Sequence, residues 1–210
     1  MDRRKRRRFR LIPVVGYTIF ALGLAYFFTQ RPSTTVIFVR HADTDESMPS
    51  DDPPLNARGR ARAELLADFL QKVDVTSSVN AIYASDKRRT QETAAPLAER
   101  LHVPVEIDDH FDTNGFMRRV RREHYGQIIL VVSHSNTIAP LIDELHGKKG
   151  LAPIEHDDYN NVYIVSIPWY GKVKTYFFEY PDPPLPGTRP AAAPAAAPVT
   201  SEPSSANGGK

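Results

Sequence analysis

Apolar positions along the chain fall into two kinds of run. Val36–Val39, Ala81–Ala84, Val103–Ile107 and Ile128–Val132 are short and almost uninterrupted, the pattern of strands buried on both faces. Between them, apolar residues recur at helical spacing. Ala57–Lys72 pairs Leu65 with Phe69 and Leu66 with Leu70, and Asn56 stands where an N-cap belongs. Thr90–Leu101 puts Ala94, Leu97, Ala98 and Leu101 on one face, and Asn114–His124 and Thr137–Leu145 complete the predicted helices. Val162–Ile167 and Lys172–Glu179 read as a closing hairpin across Pro168–Gly171. Such alternation predicts an α/β domain over residues 33–180, with a mostly parallel central sheet and helices on both faces.

The two ends follow other rules. Leu11–Thr29 carries no charge, and as a helix it would run about 28 Å, close to the hydrocarbon thickness of a bilayer. Residues 1–10 hold seven Lys or Arg against one Asp. The positive-inside tendency would keep this basic tip in the cytoplasm. The expectation is a single-pass membrane protein: a signal anchor over 11–29, with the folded domain on the periplasmic or extracellular side. A cleaved signal peptide is the rival, but Phe27-Phe28-Thr29-Gln30 is a poor cleavage site. A buried soluble helix is the third reading. Residues 181–210 are dominated by proline and alanine and read as a disordered tail.

Charge narrows the function classes. The 210 residues carry a formal +2, yet the basic tip alone carries +6, leaving −4 on the rest. No basic stripe is available for nucleic acid. The absence of cysteine removes disulfides and thiolate metal sites. Oligomeric state leaves no mark in the sequence.

In open parallel sheets, ligands bind beyond the carboxyl ends of the strands. Two predicted strands end there in histidine, Val39-Arg40-His41 and Val132-Ser133-His134. A third leads through Ser85 to Arg88 and Arg89, just before a helix N-terminus, and a fourth runs into Asp108, Asp109 and Asp112. Arginines with a helix N-terminus suit a phosphate. A neutral imidazole can attack phosphorus, and a carboxylic acid can protonate the leaving oxygen. Each residue alone has a structural reading: a hydrogen-bonded strand-end histidine, a solvated helix entrance, a turn aspartate. A metal site built from His41, His134, His156 and the Asp108–His110 cluster lacks H-x-H or H-x-x-x-H spacing. A serine hydrolase lacks the nucleophile elbow.

The ordered set "VRHADT", "DPPLNARGRARAELLADFL", "IYASDKRRTQETAAPLA" and "ILVVSHSNT" resembles the histidine phosphatase superfamily, the phosphoglycerate mutase-like branch with an RHG or RHA signature. The likeness covers Thr35 to Ile167 and is nearest to short, often exported bacterial members. It implies His41 as the nucleophile that becomes phosphohistidine, and Arg40 and Arg89 as phosphate ligands. It implies His134 at the transferred group, with Ser135 and Asn136 near the same pocket. Gly59 and Arg62 match a structural motif. The family's acid is a glutamate after the third strand. None stands there, and Asp112, with Asp109 as the other candidate, falls near that slot. The implied activity is a phosphomonoesterase, with no metal or other cofactor, acting on a small phosphorylated molecule or a phosphoprotein. The alternative is a non-catalytic phosphate- or phosphopeptide-binding module of the same fold.

Overall fold

The four short apolar runs become parallel neighbours in one sheet. A computed structural model describes residues 3–29, 32–45, 47, 50–72, 79–108 and 112–184. Strands β1 (Thr34–Arg40), β2 (Val79–Ala84), β3 (Val105–Ile107) and β4 (Ile128–Ser133) lie in the order β3-β2-β4-β1. The sheet continues through β5 (Asn161–Ile167) and β6 (Lys174–Glu179), each antiparallel to its inner neighbour. The expected hairpin thus extends the sheet and makes it mixed.

Period-two alternation divides the core. From β1, Val36 and Phe38 face α4 (Thr113–Glu123) and α5 (Ser135–Glu144), meeting Phe116, Met117, Ile138 and Leu141. Ile37 and Val39 point the other way, toward Leu66 and Leu70 of α2 (Ala57–Lys72) and Leu97 of α3 (Arg88–Leu101). Helices therefore cover both faces. Val36, Ile37 and Phe38 are fully buried, each contributing about 1.5–3 kcal/mol of transfer free energy.

Two local features fix the start of α2 against the end of β1. Asn56 accepts the Gly59 N–H at 2.8 Å, the predicted N-cap. Gly59 is pressed so close to Asp43 that a Cβ there would lie 2.0 Å from its carbonyl oxygen. One turn later Arg62, 1% exposed, binds Asp43 and Asp182, each at 2.6 Å. Asp182 lies just past the expected domain boundary and is held by the body of the domain. Residues 185–210, most of the expected tail, lie outside the described residues.

The N-terminal expectation requires correction. Residues 3–29 form one helix, α1 (Arg3–Thr29), which opens with the basic tip. Among the described residues, no helix is long and apolar enough to cross a membrane. The last aromatic pair of α1 also packs on protein: Phe27 and Phe28 lie 6.1 and 5.4 Å from Trp169 in the β5–β6 turn. The single-pass anchor, and the extracytoplasmic location built on it, are overturned.

Candidate active site

The two histidines meet because their strands are in register. Arg40 of β1 stands opposite Ser133 of β4, and the ladder runs one step further as the His41 N–H donates to the Ser133 carbonyl at 3.0 Å. Each histidine follows the last pair, so their backbones are about one strand spacing, ~4.8 Å, apart. Their ring centroids are 5.4 Å apart, edge to face.

His41 is 8% exposed, and its Nδ1 lies 2.9 Å from the Ala42 carbonyl oxygen. A carbonyl can only accept, so Nδ1 carries the hydrogen and the neutral ring keeps its lone pair on Nε2. Burial is the main cause that pushes the His41 pKa down to about 3; the Ala42 contact opposes it, while His134, Arg40 and Arg89 reinforce it. The ring is neutral throughout the physiological range. The next N–H, that of Ala42, donates to Thr93 Oγ1 at 2.9 Å, so α3 rests directly against this strand end.

Arg40 is 5% exposed. Its Nη1 donates to the carbonyls of Glu155, His156 and Asp158 at 2.8, 2.9 and 3.0 Å, and its guanidinium lies 4.1 Å over the Tyr159 ring. Its Nε is buried without a hydrogen-bond partner among the described residues, a donor suited to an anion. Of the two arginines opening α3, Arg88 points outward to Glu92. Arg89 is half-buried, acts on His41, and lies 3.8 Å from Asp52.

His134 is held by hydroxyls. Its Nε2 lies 3.0 Å from Ser85 Oγ, which lies 2.8 Å from Thr90 Oγ1, and Thr90 donates to the Lys87 carbonyl at 2.7 Å. A carbonyl terminus sets the direction: Ser85 donates to Thr90, and His134 Nε2–H donates to Ser85.

The structure thus brings together His41, His134, Arg40 and Arg89. Asn136 is exposed in the first turn of α5. Asp112 caps α4, accepting the Gly115 N–H at 2.9 Å, and lines a cleft of about 480 Å³ with Arg118, Arg119 and Arg122. No described contact joins it to the histidine pair. Asp109 lies outside the described residues. Ser85, Thr90 and Asp52 carry no role in the sequence pattern, yet all three contact the site residues. The Tyr159 ring is 6.0 Å from that of His41. Only the position of Ser85 and Thr90 beside a strand end could have flagged them.

An α/β domain with a mixed central sheet, two strand-end histidines and two arginines beside them has the layout of a phosphoglycerate mutase-like fold. The model of the histidine phosphatase superfamily (branch 1) matches residues 36–113. The "Uncharacterized phosphatase PhoE" of Bacillus subtilis (strain 168) is 30% identical over 173 residues, 74% of this chain and 83% of that protein. The chain belongs to the histidine phosphatase superfamily. Among solved structures, the protein histidine phosphatase SixA complexed with tungstate aligns with a TM-score of 0.55 at 22% identity, covering 69% of this chain and 96% of that one. A mycobacterial glucosyl-3-phosphoglycerate phosphatase aligns with a TM-score of 0.54 at 17% identity, covering 70% and 98%. At these identities the structural matches speak for the fold.

Proposed function

We propose that residues 33–180 form a phosphomonoesterase that works through a phosphohistidine at His41. The observation that carries the reading is the state of His41: neutral, with Nδ1–H directed to Ala42 and Nε2 left as the nucleophile. In the first step Nε2 attacks phosphorus, the bond to the ester oxygen breaks, and the departing alkoxide takes a proton. Arg40, Arg89 and His134 bear the charge of the transferred group. In the second step water attacks phosphorus, loses its proton to a carboxylate, and the N–P bond breaks to return neutral His41. Asp112 is our proton donor and acceptor on the sequence reading, with Asp109 the other candidate. Positioned arginines and a neutral imidazole suffice for this chemistry. The structural neighbours named above are a protein histidine phosphatase and a glucosyl-3-phosphoglycerate phosphatase, two different substrates on one fold, so the proposal names the reaction and not the substrate.

The second reading, a phosphate-binding module, is favoured by the engagement of Asp112 in capping α4. One assay separates the two. Phosphate release from p-nitrophenyl phosphate, resistant to EDTA and lost in His41→Ala, is the expected result. A folded parent that binds phosphate without turnover would establish the module instead.

A further inference from the structure

A helix N-terminus beside an arginine is an anion site, and in this protein a carboxylate of the chain itself already sits there. Helix α3 has no cap of its own: Lys87 occupies the N-cap position and makes no side-chain capping bond. The cap comes from the β1–α2 loop. Asp52 Oδ1 accepts the Arg88 N–H at 2.9 Å, and the same oxygen lies 3.8 Å from Arg89 Nη1. Asp52 is about one-third exposed and Arg89 less so. Arg89 also acts on buried His41, and Thr93, one turn along α3, touches Ala42. The carboxylate therefore occupies the two features of α3, dipole and guanidinium, that a phosphate beside His41 would use.

We propose that Asp52 is an internal competitor for the phosphate-binding arginine, a positioning residue that holds Arg89 when the site is free and weakens the grip on phosphate. This rests on the reading of Arg89 as a phosphate ligand. Substrate and product phosphate must each displace the Asp52–Arg89 contact, and the negative charge left behind still repels a bound dianion. The contact holds Arg89 at the site between turnovers and keeps inorganic phosphate from lingering as product.

Asp52→Asn separates competition from support. Asparagine keeps an oxygen for the Arg88 N–H, so the cap survives, and it removes only the charge. Calorimetric titration of parent and variant with inorganic phosphate is the direct measurement, with thermal unfolding as the control for the cap. The variant is expected to bind phosphate about two- to fivefold more tightly, the scale of one partly exposed ion pair. The gain should shrink as salt is raised, and Ki for phosphate in p-nitrophenyl phosphate hydrolysis should fall by the same factor. Equal or weaker binding by Asp52→Asn overturns the proposal, because a residue that merely supports Arg89 would lose affinity when its charge is removed. Failure of both proteins to bind phosphate overturns it as well. Turnover of p-nitrophenyl phosphate by the parent, and its loss in His41→Ala, reports separately on the phosphatase reading.

Discussion

His41 and His134 end adjacent strands, one residue beyond the same register pair, in stretches that read almost alike, yet the fold treats them differently. His41 is fixed by backbone: its own N–H joins the β1–β4 ladder and its Nδ1 meets the neighbouring carbonyl of Ala42. His134 is fixed from two sides, by a relay of two hydroxyls from the β2–α3 junction and by a capping box with Thr137 at the start of α5. The difference suits the two jobs proposed. A nucleophile needs one tautomer and one exposed lone pair, which a carbonyl enforces. A charge-stabilising donor needs a hydrogen on the nitrogen it presents or shares, and a hydroxyl can follow changes in that hydrogen.

The sharpest way to break the comparison is to remove each ring in turn. His41→Ala is expected to lower kcat on p-nitrophenyl phosphate by on the order of 10⁴ or more, since no phosphoenzyme can form. His134→Ala keeps the nucleophile and loses one stabilising group, so a fall of about 10²–10³ is expected. Rapid quenching with labelled substrate should trap an acid-labile phosphoenzyme in His134→Ala and none in His41→Ala. Equal losses in the two variants would mean that the histidines are not divided into nucleophile and helper.

A second contrast is electrostatic and is read from stability. Folded His41 stays neutral to a pKa of about 3, whereas the unfolded chain protonates it near the ordinary value of 6.5. Between those limits the unfolded state binds more protons, so stability falls as pH falls, by at most about 1.4 kcal/mol per pH unit from this group. Nothing is lost above pH 6.5, and the loss is complete once pH drops through the folded value. Denaturant unfolding at pH 7, 6, 5 and 4 should show parent and His41→Asn diverging steadily, the variant losing less. Parallel curves would mean that His41 is more hydrated than its burial implies.

The sequence made β1 and β4 plain because each is short, apolar and buried on both faces, and it made both histidines plain because those runs stop at them. The helix faces followed from spacing at Leu66, Leu70 and Leu97 for the same reason. What stayed hidden came from partners distant in the chain. The three carbonyls that engage Arg40 arrive from residues 155–158, and the cap of α3 arrives from Asp52, 36 residues before the N–H it accepts. Periodicity carries no trace of such closures. The acid was illegible for another reason: an aspartate after a strand can cap the next helix as readily as donate a proton, and Asp112 does cap one. The N-terminal run misled because an apolar stretch reports what it avoids and not what it meets, and its last aromatics meet Trp169.

The smallest effect tests the relay itself. Ser85→Ala removes the oxygen that accepts from His134 and leaves Thr90 its bond to the Lys87 carbonyl. One buried hydrogen bond is worth about 1 kcal/mol, so kcat should fall about fivefold. KM should move little, because Ser85 acts through the orientation of the His134 ring, and no described hydrogen bond joins it to Arg40 or Arg89. The loss should disappear in a His134→Ala background, since a relay with no ring at its end has nothing to orient. A double-mutant cycle measures that coupling directly. Additive losses would assign Ser85 a role independent of His134, and the two strand ends would then differ only in burial.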